Sequence, residues 1–128
     1  TRSSRPGRAR PGLDDLVASY VSFCLRNRAL IGVYVSEAVN LPPAAWERTS
    51  AVIRQGAREW TVALMAADSR LTEPVARVRI RAALAAIHDL ARLGHFSQRP
   101  RIAPELASIA RAVLLTDPMG RDALSLPA

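Results

Sequence analysis

Three side chains in this chain have the right type for nucleophilic or metal chemistry: Cys24, His88 and His95. As a nucleophile Cys24 would need a nearby histidine or a lowered pKa, and neither is legible in the sequence. Cys24 instead falls on an apolar helical stripe, where a free cysteine is usually a small core residue. His88 and His95 stand seven residues apart with Gly94 between them, so they are not the i, i+4 pair that a zinc-binding helix presents. The His88-Asp89 step would suit a metal-dependent phosphohydrolase, but such a site needs further His and Asp ligands, and the chain has no surplus histidine. Glycine-rich phosphate loops and a serine nucleophile elbow are absent too. The expectation is a protein without catalytic residues, bound metal or cofactor.

Large apolar and aromatic side chains are what the sequence supplies instead. Tyr20, Phe23, Tyr34, Trp46 and Trp60, five of the six aromatics, all precede residue 61. Glu37 shares a helical stripe with Leu30, Tyr34 and Leu41, where a carboxylate is costly to bury alone. Arg54 and Arg58, one turn apart, are its candidate partners, either in a salt bridge at a rim or in a polar anchor on a pocket wall. Tyr20, Phe23, Cys24, Tyr34, Glu37, Trp60 and Leu64 are expected to converge on an apolar cavity, with Arg54 at its mouth. Such a lining favours a lipid-like, aromatic or steroid-like ligand over a sugar or nucleotide. For an acyl thioester of coenzyme A, the phosphates would meet Arg54 or Arg58. Trp60→Ala is expected to weaken ligand response more than Trp46→Ala, since Trp46 sits near a helix start.

Helices must position these residues. Leu13, Leu16, Val17, Tyr20 and Cys24 mark one face of a helix over residues 13–27, with Asp14 and Asp15 at its positive end. Residues 28–41 are ambiguous, because Ile31, Val33, Tyr34 and Val35 alone would suit a buried strand. No partner strand exists, and the Leu30–Tyr34–Leu41 stripe favours helix. Residues 43–67 form a long helix whose Trp46, Ser50, Ile53, Ala57, Trp60 and Leu64 alternate spacings of four and three. Thr72-Glu73-Pro74 starts a fourth helix that Gly94 stops. A polar loop over 95–101 precedes a last helix, which Asp117-Pro118 breaks. The fold class is all-α, a five-helix bundle.

The last two helices lack aromatics and are rich in alanine. Ala76, Ile80, Ala83, Leu84, Ile87, Leu106, Ile109 and Val113 form small and aliphatic faces. Either these bury inside one chain, or one face remains for a second copy; the alanine lining favours a dimeric four-helix interface.

The chain of 128 residues has room for one core, and its hydrophobic share of 49% argues against disorder. The formal charge of +7 is uneven. Residues 1–12 carry four Arg and no acid, whereas residues 13–128 carry fourteen Arg against eleven acids. The arm is read as a flexible basic linker, residues 13–116 as the folded domain, and 117–128 as a tail. Without aromatic and basic interleaving, any DNA affinity of the arm is expected to be weak and salt-sensitive. The longest apolar run is too short for a membrane span, and a cytoplasmic protein is expected.

The run Tyr34-Val35-Ser36-Glu37-Ala38-Val39-Asn40-Leu41-Pro42 ahead of a long helix, the alanine-rich helix opening Glu73-Pro74-Val75-Ala76-Arg77, and a closing Leu106, Ala110, Val113-Leu114-Leu115 helix carry a resemblance. Together, over roughly residues 13–115, they resemble the C-terminal regulatory domain of TetR-family transcription repressors, closest to actinobacterial members that govern lipid or steroid breakdown. The resemblance implies an effector pocket within the first helices and homodimerisation through the last two. It also implies a preceding helix-turn-helix domain that residues 1–12 cannot supply, so operator DNA would be met only through a missing N-terminal part. The alternative is a stand-alone helical dimerisation or adaptor module without a ligand.

Overall fold

The computed structural model describes residues 12–37 and 42–116, without the side chains of Glu37, Ala45 and Thr49. The basic arm up to Pro11, the Ala38–Leu41 end of the expected second helix and the tail from Asp117 lie outside the described residues, as does the Glu37 side chain. Among the described residues all regular structure is helical: α1 (Leu13–Arg26), α2 (Arg28–Glu37), α3 (Pro43–Ala67), α4 (Glu73–Arg92), α5 (Gly94–Ser97) and α6 (Ile102–Leu115).

Each helix end has a local cause. Asp14 and Asp15 sit in the first turn of α1 and Arg26 in its last, complementing the helix dipole. Asn27 ends α1 by donating from its side-chain amide to the Phe23 carbonyl at 2.8 Å, while its own carbonyl accepts from Ile31 at 3.0 Å and opens α2. The chain turns by 90° at this residue. Pro43 and Pro74 occupy first turns of α3 and α4, where a missing N–H costs nothing.

The strand-like run at residues 30–35 is helix. It buries Ile31 and leaves Leu30 and Val35 exposed, so the inward face is shifted by one residue from the Leu30-based stripe. The expected polar loop after Gly94 contains a helical turn, α5, closed by Phe96 and Ser97 N–H groups donating to the Leu93 carbonyl. Its polar composition hid it. Gly94 is also no left-handed cap; Leu93 breaks α4 in extended conformation, and Gly94 admits the Arg28 guanidinium at 3.1 Å from where a Cβ would stand.

α4 is the central helix, packed against all five others. Its Ala76, Ile80, Ala83, Ile87 and Ala91 are at most 2% exposed. They meet Val17, Val21 and Cys24 of α1, Trp60 and Leu64 of α3, and Leu106, Ala110 and Leu114 of α6 in one cluster. Burial of each such Leu or Ile side chain contributes roughly 1.5–3 kcal/mol. The α4–α6 pair is antiparallel, as the Arg79 guanidinium donating to the Leu114 carbonyl at 3.3 Å requires.

This arrangement corrects the dimer face. Ala76, Ile80, Ala83, Ile87 and Leu106 are consumed by the core of one chain and are closed to a partner. Leu84 and Val113 are half-buried, and of the eight only Ile109 is exposed. α4 has more neighbours than an edge helix of a bundle, so its most regular stripe points inward. The outward side of the pair carries Val75, Val78, Ala82, Ile109, Ala112 and Leu115, a different small and aliphatic face.

No single described helix is long and apolar enough to cross a membrane. α1 and α2 together reach that length, but with the 90° bend between them and with Val17, Val21, Cys24 and Ile31 in the core.

Candidate functional site

α3 and α4 form a hairpin joined by residues 68–72, and Trp60 and Leu64 of α3 share the buried core with Ala76 and Ile80 of α4. Toward its N-terminus α3 carries the same stripe through Ala57, Ile53, Ser50 and Trp46, but there it lines an open cleft of about 770 Å³. One stripe thus does two jobs. Its C-terminal half is core, and its N-terminal half is cleft wall.

The inner surface of the cleft is apolar, from Ile53, Ala57, Ile80 and Leu84. Tyr34 of α2 and Trp46 stack at one end, ring centroids 5.8 Å apart and planes 15° from parallel. Ser50 also lines it and is only 7% exposed, yet its Oγ has no hydrogen-bond partner among the described residues. A buried hydroxyl left unpaired costs about 1–3 kcal/mol. Thr61, by contrast, is satisfied by donating to the Ala57 carbonyl at 2.8 Å. Around the mouth stand Arg54 and Arg58 on α3 and Arg77 and Arg81 on α4, each pair one turn apart, with Glu73 the one acid in the lining among the described residues. Glu73 lies 3.9 Å from Arg77, and Arg58 donates to the Gln55 side chain. Arg54 and Arg81 make no ion pair with another described residue.

Behind the cleft lies a second, closed cluster. The Tyr20 hydroxyl is 2.6 Å from His88 Nε2, and the Tyr20 ring packs edge-on to Trp60 and stacks on Phe23. Burial pushes the Tyr20 phenol up and the His88 imidazolium down, so both are neutral at pH 7. Tyr34 meets the same imidazole edge-on at 5.9 Å, linking this cluster to the cleft. Burial pushes the Cys24 thiol up to about 11, partly offset by its hydrogen bond with Tyr20, which makes it a poor nucleophile at neutral pH. No three metal-ligating side chains come together among the described residues.

The eight residues expected to surround a ligand are thus divided. Tyr34 and Arg54 line the cleft. Tyr20, Phe23, Cys24, Trp60 and Leu64 belong to the core or pack against it and do not line the cleft; Cys24 and Leu64 are fully buried and Trp60 is 3% exposed. Glu37's side chain lies outside the described residues. Of the two tryptophans, Trp46 is at the cleft and Trp60 is in the core. The α4 wall, Ser50 and Trp46 were missed by sequence reasoning. A serine interrupting an apolar stripe and two i, i+4 arginine pairs on successive helices were the available signals.

No family model matches this chain, and no curated protein or solved structure matches it either.

Proposed function

We propose that this chain is the effector-sensing and dimerisation domain of a TetR-like transcription repressor, whose DNA-binding helix-turn-helix would precede it. The observation that carries the reading is the sharing of α4. One flank of this helix, through Ile80 and Leu84, walls the cleft. Another flank, through Val75, Val78 and Ala82, stands exposed beside Ile109 and Ala112 of α6. A hydrophobic effector, such as a lipid, acyl thioester, steroid-like or aromatic compound, fills the cleft and biases the spacing of α3 from α4. The same displacement of α4 alters how two copies meet across the outward α4–α6 face. DNA heads attached to those copies would then change separation, a coupling typically of about 1–3 kcal/mol.

The test uses a chain extended through the coding sequence upstream of Thr1. It is expected to bind one duplex sequence as a dimer, with an affinity that an apolar compound shifts by about 5- to 150-fold. An upstream segment without a helix-turn-helix, or duplex binding that no cleft ligand alters, overturns the reading in favour of an adaptor module.

A further inference from the structure

Resting on the effector reading, we infer that the α3–α4 cleft selects an amphipathic organic anion, with its hydrocarbon or ring on the apolar wall and its acidic head between the arginine pairs. Residues 13–128 carry a charge excess of only three, fourteen Arg against eleven acids. Among the described residues the cleft lining carries four Arg against Glu73, the same excess gathered around one opening. Two guanidinium pairs on facing walls repel each other, and closing such a cleft without an anion is unfavourable. Neither Arg54 nor Arg81 has an acidic partner among the described residues, so their forks are available for bidentate contact with a carboxylate, sulfonate or phosphate.

Ser50 is an independent pointer to a bound molecule. Its hydroxyl is unpartnered and shielded from solvent, so it meets a ligand atom by turning toward the cleft, a move that removes a standing penalty. The stacked Tyr34 and Trp46 provide a flat ledge for a ring or chain beside it. A neutral hydrocarbon would use the wall and the ledge and leave Arg54, Arg81 and a hydroxyl unanswered. An amphipathic anion answers all of them.

The probes are 8-anilino-1-naphthalenesulfonate and its uncharged counterpart N-phenyl-1-naphthylamine, titrated by fluorescence into the 128-residue chain. The sulfonate is expected to bind at least tenfold more tightly. Raising salt from 50 to 500 mM, roughly a threefold shortening of the screening length, should weaken the sulfonate and leave the amine within twofold. The double substitution Arg54→Gln/Arg81→Gln should weaken the sulfonate tenfold or more with the amine unaffected. Arg48→Gln, exposed on α3 away from the cleft, should change neither. Equal affinities that ignore salt and the double substitution overturn the anion preference while the effector reading stands. Binding of neither probe overturns both. The salt comparison needs no variant, so the inference is testable even if the double substitution perturbs folding.

Discussion

Histidine 88 shows how one buried residue can set the acid response of the fold. The Tyr20 hydroxyl of α1 and the Tyr34 ring of α2 pack on its imidazole, and neither can stabilise an imidazolium by charge. Burial lowers its folded pKa below the ordinary 6.5, whereas the unfolded chain keeps the ordinary value. The unfolded state therefore binds a proton that the folded state refuses. Stability from this residue is complete above about pH 6.5 and is lost as pH falls through that value toward the folded pKa. His88→Gln preserves a hydrogen-bonding group for Tyr20 but cannot titrate. Thermal melts followed by circular dichroism from pH 7.5 to 5 should show a steeper loss of Tm in the parent chain than in the variant. Parallel curves would mean that His88 is protonated at little cost in the fold.

At the scale of the element, arginines finish helices that have no side-chain N-cap. Arg28 Nε donates to the Ala91 carbonyl at 3.1 Å and so satisfies the last turn of α4 from α2, as Arg79 does for α6. Arg28 is partly buried, and its loss leaves a shielded carbonyl unpaired. Arg28→Ala is expected to cost about 1.5–3 kcal/mol. Arg111 joins α6 to Asp14 of α1 at 2.9 Å, but both side chains are largely exposed. Arg111→Ala should therefore cost less than about 1 kcal/mol. Urea denaturation checks the order of the two, with a lower midpoint and an unchanged slope for Arg28→Ala. A larger loss from Arg111→Ala would show that the α1–α6 ion pair is more shielded than its exposure implies.

For the whole molecule, the proposed dimer would use the outward surface of the α4–α6 pair. Val78 is 70% exposed and Ile109 45%, whereas Ala83 is fully buried. If dimers form through the outward face, Val78→Arg or Ile109→Arg buries unpaired charge only in the dimer, at a cost of roughly 3–5 kcal/mol. Sedimentation equilibrium is then expected to show folded monomers for either variant and dimers for the parent. Ala83→Arg places the same charge in the core and should unfold the chain outright. A monomeric parent at high concentration would remove the dimer from the proposed function.

Periodicity alone determined that this chain is helical and where four of its helices begin, because spacings of three and four and the flanking Pro and acidic residues act locally. The stripe from Trp46 to Leu64 was legible in full as an apolar face. Local spacing reports that a face is apolar but not what covers it. Tertiary structure decided that Trp60 and Leu64 share the core with α4 while Trp46 and Ser50 line a cleft, since that core takes in the end of α3 next to the connection. It also decided that the alanine-rich stripe of α4 is core, because five neighbouring helices surround it and none of their positions is encoded within α4 itself. The site followed the same rule. Arg54 and Tyr34 could be named from residue type, but the four arginines became one opening only when a hairpin brought two helices face to face.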